Sequence, residues 1–309
     1  MNATSVQFRG VFAALVTPMR PDEEIDLAAL SGFVRYLVGQ GVHGLIPLGS
    51  TGEYYALSES EREQVLRTTL EAAEGRVPVL AGTNAGSTRD VVAFSRQAER
   101  LGCAGVMLAP PYYSLPRLEE LFLHFKAVND ALGIPIMLYN YPGRTGVDMP
   151  PDFIERLAEL KNIRCVKEST GEMPRITELL RRCGDRLGVF CGCDTIALES
   201  LMVGACGWVG GVVNVLPASH VQLYHLAVES VDFHAARGLF FQMLPTLELM
   251  EGRGKYTQFV KAGCRLLGRD PGPPRRPLQP ATEEESRALR EALRLVGEAR
   301  QSGSPQRTA

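Results

Sequence analysis

Lys167 is the residue whose type and position point most directly to chemistry. It lies near the end of an apolar run, in the segment Cys-Val-Lys-Glu-Ser-Thr at residues 165–170. Burial in a strand disfavours the charged ammonium, which lowers a lysine pKa and frees the amine to attack carbonyl carbons. A lone lysine at a strand end more often extends its ammonium to water or pairs with a carboxylate. A catalytic role for Lys167 therefore requires other reactive side chains close to it.

Residues 49–53, Gly-Ser-Thr-Gly-Glu, follow another apolar run. The glycines allow the backbone to approach a small ligand closely, and the hydroxyls of Ser50 and Thr51 can donate or accept hydrogen bonds. The same pattern is typical of a turn that caps a helix, so this segment alone does not identify a site.

Two further segments carry phenol groups. Tyr139 closes an apolar run, so its hydroxyl is expected at a strand end, and Arg144 follows in the loop, where a guanidinium can bind a carboxylate bidentately. Tyr112 and Tyr113 follow two prolines at the end of another run. Taken separately, these features are equally compatible with packed aromatics, a rigid turn and a solvated arginine.

The combination is more informative than its parts, because a lysine, a phenol and short hydroxyls at separate strand ends can meet over one cavity. Amine attack on a ketone passes through a carbinolamine, and a phenol bonded to a hydroxyl can carry the protons that this step requires. We therefore predict a Schiff-base lyase without metal or organic cofactor. Cys191 and Cys193 form a C-x-C pair, but no second Cys/His pair at ligand spacing accompanies it, which favours buried thiols.

Short apolar runs that alternate with amphipathic stretches provide the elements that position these groups. The runs are apolar at consecutive positions, as parallel strands covered on both faces require. The predicted strands are residues 11–17, 44–48, 77–81, 105–109, 135–139, 164–167, 188–191 and 207–211. The predicted helices between them are residues 26–41, 58–75, 87–102, 117–132, 151–161, 174–184 and 194–204.

Eight strand–helix units predict an α/β fold of the (β/α)8 TIM-barrel type, whose active sites lie at the C-terminal ends of the strands. A doubly wound open sheet is the alternative, although residues 17–22 lack the glycine-rich dinucleotide fingerprint that it would favour. Beyond about residue 216 only helical patterns follow, at 221–229, 233–250, 256–267 and 282–299, with five prolines in 270–280. We expect a catalytic barrel over 1–230, a C-terminal helical extension over 231–300 and a disordered tail over 301–309.

The composition limits the other classes of function. The 309 residues are 45% hydrophobic and 22% charged, which excludes wholesale disorder. A net charge of -2 gives no strong basic field for nucleic acid or an anionic membrane. No apolar run approaches the ~20 residues needed to span a bilayer, and the N-terminus lacks a signal-peptide pattern. The odd set of seven cysteines favours reduced thiols, so we expect a cytoplasmic protein.

In their order and spacing, the segments resemble the dihydrodipicolinate synthase / N-acetylneuraminate lyase family of pyruvate-dependent class I aldolases. The matching pieces are GSTGE at 49–53, PYY at 111–113, YNYPGRTG at 139–146, VKESTG at 166–171 and GCD at 192–194. The resemblance implies that Lys167 forms an imine with pyruvate or another 2-oxo acid. It also implies that Tyr139 donates and accepts protons, Ser50 passes them, and Tyr113 completes the relay from a neighbouring subunit of a homotetramer.

The resemblance further implies that Thr51 and the Val209 backbone hold the pyruvate carboxylate and methyl region, and that Gly192 lines the same pocket. Arg144 matches the arginine with which the synthases hold the carboxylate of aspartate semialdehyde, so 4-hydroxy-tetrahydrodipicolinate synthase is the best single expectation. Ser50 stands where synthases usually have threonine and is similar to sialate lyases and sugar-acid aldolases. A sugar-acid or sialate-type aldolase, a dehydratase or a pyrroline-carboxylate deaminase therefore remains an alternative, as does a non-catalytic oxo-acid-binding barrel.

Feedback inhibition by lysine is expected to be weak or absent. The positions that face this effector in many bacterial synthases carry Tyr55, Glu59, Arg62 and Gly86 here, rather than the histidine and asparagine often seen. Glu59 and Arg62 are equally compatible with the solvated start of a helix.

Overall fold

Eight short parallel strands surround a central axis in the computed structural model, which describes residues 8–297. They are β1 (Gly10–Ala14), β2 (Gly44–Ile46), β3 (Leu80–Gly82), β4 (Gly105–Leu108), β5 (Ile136–Asn140), β6 (Ile163–Glu168), β7 (Gly188–Cys191) and β8 (Gly207–Gly210). β1 pairs with both β2 and β8, and a parallel bridge from Leu45 to Val79 joins β2 to the residue before β3. The (β/α)8 barrel is thus confirmed, and the open-sheet alternative is wrong.

The strands are apolar at consecutive positions because both of their faces are buried. One face packs inside the barrel, where the rings of Phe12 and Phe190 meet edge to face with centroids 5.5 Å apart. Gly44 and Gly207 lie against these rings, and a Cβ at Gly207 would come within 2.5 Å of Phe190 Cε1. Interior side chains therefore fill the barrel, and the open space lies above them at the strand ends.

Twelve α-helices flank the strands or follow them within the described residues. They are α1 (Leu27–Gly39), α2 (Glu59–Ala73), α3 (Thr88–Leu101), α4 (Leu118–Ala131), α5 (Pro142–Thr145), α6 (Pro151–Leu157), α7 (Met173–Cys183), α8 (Ala197–Met202), α9 (Pro217–Tyr224), α10 (Phe233–Glu251), α11 (Tyr256–Leu266) and α12 (Glu283–Leu295). A capping box begins α2, since the Glu61 N–H donates to Ser58 Oγ and the Ser58 N–H to Glu61 Oε2. No helix of residues 8–297 is long and apolar enough to cross a membrane.

Several predicted boundaries are wrong by a few residues, and proline explains two of them. The third strand begins at Leu80 rather than 77, because Pro78 has no N–H to donate to a ladder. α9 begins at Pro217 rather than 221, since proline is well suited to the first helical turn. The helix predicted over 194–204 is divided into a 3-10 turn, Asp194–Ile196, and α8.

The segment after residue 232, which we call the annex, comprises α10, α11, α12 and the proline-rich connection at 270–280, which we call the strap. The strap has no regular secondary structure, as predicted, and its Pro271 carbonyl accepts a hydrogen bond from the Met19 N–H at 2.9 Å. The annex is therefore attached to the loop after the first strand. The domain boundary at 230 stays a prediction, and the predicted tail lies outside the described residues.

Candidate active site

A cavity of about 240 Å³ opens at the C-terminal ends of the strands. Loops after the second, fifth, sixth, seventh and eighth strands form its walls, together with residues of the annex. Of the eight predicted site residues, the cavity brings together six: Ser50, Thr51, Tyr139, Arg144, Lys167 and Gly192.

Lys167 lies in β6 with only 6% of its surface exposed. Its Nζ is 4.2 Å from the ring centroid of Tyr139, the residue opposite it on β5. Burial is the main cause that lowers the pKa of Lys167 to about 8, and the positive charge of Arg144 acts in the same direction, whereas Asp194 opposes it. About a tenth of the amine is therefore unprotonated at pH 7, far more than for a lysine of ordinary pKa.

Gly192 lies close to this lysine. A Cβ at this position would come within 2.7 Å of Lys167 Cγ and would collide with the Ser169 hydroxyl. The loop after β7 therefore requires a glycine at this position, which the sequence motif GCD supplies.

Tyr139 is buried beside the lysine, and burial raises the pKa of its phenol to about 12. The hydroxyls of Ser50 and Ser169 and the charge of Arg144 act in the opposite direction on this pKa but are outweighed. The phenol is thus protonated at neutral pH, and it lines the same cavity as the Ser50 hydroxyl that the sequence predicted as its relay partner.

Arg144 lies in the exposed four-residue helix α5, on the rim of the cavity. Its guanidinium lies 5.8 Å from the ring centroid of Tyr141 and makes no ion pair within residues 8–297. This unpaired cation at the cavity mouth can bind a carboxylate of an incoming molecule.

A cluster of hydrogen-bonded polar side chains, which the sequence analysis missed, lies where the annex meets the loops after β7 and β8. The Asp194 carboxylate is fully buried and accepts hydrogen bonds from Trp208 Nε1 at 2.8 Å and from the Tyr256 hydroxyl. The Tyr256 oxygen accepts in turn from the N–H groups of Gly211 and Val212, at 2.8 and 3.2 Å. Tyr256 therefore joins α11 to the loops that follow the two strands β7 and β8.

Burial, followed by the charge of Glu251, raises the pKa of Asp194 to about 7. Glu251 Oε1 accepts from the Asp194 N–H at 2.6 Å, and its Oε2 accepts from the N–H and hydroxyl of Thr195. Asp194 belongs to the GCD motif noted in the sequence, but Glu251 and Tyr256 come from the annex, far along the chain. No local pattern marked those two residues.

Two predicted residues do not line the cavity. Val209 in β8 is fully buried among the interior side chains below it. Tyr113 is 97% exposed in the loop after β4, where its backbone has a φ of 71°, in the left-handed region. Within a single chain, Tyr113 is therefore separate from the groups around Lys167.

Two of the positions considered for lysine inhibition, Glu59 and Arg62, differ in their exposure to solvent. Glu59 is exposed, as a solvated helix start requires. Arg62 is buried and donates to the carbonyls of Asn84 and Tyr54 at 3.1 and 2.9 Å, with its guanidinium 4.5 Å from the Phe94 ring centroid. The interpretation of Arg62 as part of a solvated helix start is therefore wrong. Its buried guanidinium instead connects the surrounding backbone and aromatic rings.

The fold and the cavity define an α/β barrel with a buried lysine amine at the mouth of its strands. The model of the dihydrodipicolinate synthetase family matches residues 7–295. The 4-hydroxy-tetrahydrodipicolinate synthase of Syntrophobacter fumaroxidans is 36% identical over 94% of this chain and 99% of its own length. That of Sorangium cellulosum is 40% identical over 96% and 98%.

Among solved structures, the chloride-inhibited dihydrodipicolinate synthase from Acinetobacter baumannii, complexed with pyruvate, superposes with a TM-score of 0.90. It is 33% identical, and the match covers 94% of this chain and all of that one. The chain belongs to the dihydrodipicolinate synthetase family and is an enzyme of its pyruvate-dependent lyase/synthase class.

Proposed function

We propose that this enzyme condenses pyruvate with aspartate semialdehyde, as a 4-hydroxy-tetrahydrodipicolinate synthase does. The observation that carries the proposal is the buried amine of Lys167, 4.2 Å from the Tyr139 ring centroid in a cavity whose rim carries the unpaired Arg144. The names of the relatives and the pyruvate complex of the Acinetobacter baumannii enzyme support the same chemistry.

The first half of the reaction forms the imine. The unprotonated amine of Lys167 adds to C2 of pyruvate, and the former carbonyl oxygen takes a proton from Tyr139, giving a carbinolamine. Loss of that oxygen as water leaves the protonated imine. Ser50 passes protons to and from Tyr139, and Thr51 holds the pyruvate carboxylate. Val209, whose side chain is buried below the cavity, keeps only a backbone role at the floor, next to the methyl region.

The second half makes the carbon–carbon bond. Removal of a proton from the pyruvate methyl group gives an enamine, whose carbon adds to the aldehyde carbon of the second substrate. The new alkoxide takes a proton. The α-amino group of the second substrate then attacks the imine carbon, which closes the ring as a cyclic imine and breaks the bond to Lys167, releasing the product and the free amine. Arg144 binds the carboxylate of the aldehyde substrate, and Gly192 leaves room for both substrates beside the lysine.

The assembly we propose is a homotetramer of two tight dimers in which Tyr113 completes the relay of the neighbouring subunit. Tyr113 is 97% exposed and does not line the cavity of its own chain, which supports a role at the cavity of a neighbouring subunit. We also propose a cytoplasmic location, which the seven free thiols support.

Borohydride reduction tests the mechanism directly. Incubation with pyruvate and sodium borohydride should add a reduced pyruvate adduct to the Lys167 peptide, detected by mass spectrometry. Lys167→Arg is the matched control, because a guanidinium stays protonated and cannot add to a ketone. Pyruvate binding without any adduct would instead indicate a non-catalytic oxo-acid-binding barrel.

Turnover with a panel of aldehydes tests the substrate. The panel contains aspartate semialdehyde, N-acetylmannosamine and glyceraldehyde, and we expect the highest kcat/KM for aspartate semialdehyde. Arg144→Ala should raise KM for this acid, because the guanidinium binds the carboxylate of the second substrate. Adduct formation with pyruvate should stay within a factor of ~2 when it is measured above pH 9, where loss of the Arg144 charge no longer changes the protonation of Lys167 appreciably. Arg20→Ala, at an exposed arginine paired with Asp22, is the control. Preferential turnover of an uncharged aldehyde would refute the assignment.

A further inference from the structure

A buried ion pair connects the annex to the loop that carries Ser50 and Thr51. Lys261 of α11 and Glu53 are 1% and 0% exposed, with Lys261 Nζ 2.6 Å from Glu53 Oε1. The same ammonium donates to the Pro273 carbonyl of the strap at 2.8 Å. The pair has no solvent around it, so its two charges depend on each other.

The strap binds the second oxygen of the same carboxylate. The Arg275 N–H donates to Glu53 Oε2 at 2.7 Å. The Arg275 guanidinium donates to the Ala56 carbonyl at 2.7 Å, to Glu61 Oε1 at 2.6 Å and to the Glu23 carbonyl. Two separate segments of the annex therefore hold the two oxygens of one side chain.

Glu53 is connected rigidly to the residues of the proposed relay. Its backbone has a φ of 57°, in the left-handed region, and its N–H donates to the Ser50 carbonyl at 3.2 Å. The carbonyl between them, that of Gly52, accepts from the Thr17 hydroxyl at 2.7 Å. A shift of the Glu53 backbone would therefore also move the turn that carries Ser50 and Thr51.

We propose that Glu53, Lys261 and Arg275, here called the latch, are positioning residues that set the Ser50 hydroxyl for proton transfer with Tyr139. The inference rests on the proposed function in that it assumes the relay through Ser50. A carboxylate held from two sides by fixed donors favours a single loop geometry, and buried ion pairs are better suited to specifying geometry than to adding stability. Lys261 and Arg275 of the annex would thereby support the geometry of the relay in the barrel.

The variants test the latch without leaving a buried charge unpaired. Glu53→Gln combined with Lys261→Met removes both charges at similar side-chain volume. Lys261→Met alone is avoided, because it would leave the buried Glu53 carboxylate without its positive partner. Arg275→Gln removes the guanidinium contacts that hold the strap to Ala56 and Glu61. It keeps the buried pair and the backbone N–H that donates to Glu53, so it loosens the strap without removing a partner of the carboxylate. Lys255→Met is the matched control, since Lys255 pairs with Glu285 inside the annex at 2.7 Å and contacts no relay loop.

The readout is the rate constant for borohydride-trapped adduct formation at saturating pyruvate. We expect the double variant to be slower by about 10-fold or more, Arg275→Gln by about 3-fold, and Lys255→Met to stay within about 2-fold of the parent enzyme. Circular dichroism and thermal unfolding identify the folded variants. Arg275→Gln keeps the experiment decisive if the buried-pair variants do not fold.

A double-mutant cycle with Ser50→Ala separates positioning from general damage. If the latch acts through Ser50, the latch variants should slow the Ser50→Ala enzyme by less than about 2-fold. Multiplicative losses would overturn the inference, as would parent-like rates in every latch variant. If the parent enzyme forms no adduct at all, the proposed function fails instead, so the two failures are distinguishable.

Discussion

Lys167 and Tyr139 share one buried environment, which moves their proton affinities in opposite directions. Burial favours the neutral form of each group, so the pKa of Lys167 is lowered to about 8 and that of Tyr139 is raised to about 12. Near neutral pH the site thus contains a partly free amine beside a protonated phenol. These are the protonation states that carbinolamine formation requires, with the free amine as the nucleophile and the phenol as the proton donor.

Tyr139→Phe removes the proton donor while keeping the ring below the amine. We expect kcat to fall by roughly 10²–10⁴, the usual effect of losing a general acid–base group. Steady-state kinetics measure it, with Tyr224→Phe, at a phenol outside the cavity, as control. A loss within a factor of ~3 would contradict the relay.

The rate of adduct formation should rise with pH. Only the deprotonated amine reacts, so a pKa of about 8 predicts roughly a 10-fold increase between pH 7 and pH 9, with a plateau above. The charged and titratable groups that act on Lys167 are Asp194, Arg144, Tyr141 and Cys191. Because the Asp194 charge raises the pKa of Lys167, Asp194→Asn should shift the rise to lower pH. An unchanged profile in this variant would show that the two groups are not coupled.

At the scale of elements, the strands and the helices between them were predictable because each carries its own local pattern. Consecutive apolar residues marked strands such as β7, whose predicted and observed bounds, Gly188–Cys191, are the same. Ends were less predictable where a proline or a 3-10 turn intervened, as at Pro78 and Asp194. Tyr139 and Lys167 lie on these strands, and Ser50, Thr51 and Gly192 lie in the loops that follow strands. Most site residues could therefore be found once the strand ends were marked in the sequence.

The contribution of α11 was not predictable, because it depends on packing between distant parts of the chain. The Tyr256 hydroxyl connects this helix to the N–H groups of Gly211 and Val212 and to the Asp194 carboxylate. A Cβ at Gly211 would lie 3.0 Å from Thr51 Oγ1, so this backbone also adjoins the predicted carboxylate-binding residue. In sequence, Tyr256 is simply the first residue of an amphipathic helix.

Tyr256→Phe tests this connection by removing a single oxygen atom. Two backbone donors and one carboxylate then lose their partner, so we expect unfolding free energy to fall by about 1–3 kcal/mol and kcat by about 10-fold. Urea unfolding and steady-state kinetics measure the two effects. The conservative control is Tyr224→Phe, whose hydroxyl lies 3.5 Å from the Cys206 carbonyl. Full activity of Tyr256→Phe would show that the connection serves stability alone.

At the scale of the whole molecule, the proposed relay needs two chains. Tyr113 lies far outside the cavity of its own chain, and no property of one sequence reveals which surface meets a second copy. The role assigned to Tyr113 therefore stays a prediction that assembly has to test.

Subunit mixing provides that test. Tyr113→Phe and Lys167→Arg should each be nearly inactive as pure enzymes. After exchange of subunits, a mixed dimer contains one cavity with an intact Lys167 and an intact Tyr113 from its partner, so activity should recover to about a quarter of the parent value. Size-exclusion chromatography confirms the assembly, and no recovery after exchange would contradict a contribution in trans.

The junction between β2 and β3 has a consequence for how the barrel opens. At this junction the Leu45 N–H donates to the Pro78 carbonyl at 3.0 Å, and the Gly82 N–H donates to the Pro47 carbonyl at 2.9 Å. Neither proline has a backbone N–H that could donate a further hydrogen bond between the strands. In deuterium exchange, the Leu45 amide should lose its proton sooner than that of Leu138 in β5, and equal protection would disprove this. The barrel is then expected to open first between β2 and β3, next to the loop that carries Ser50. On heating, activity should therefore be lost before the hydrophobic core unfolds.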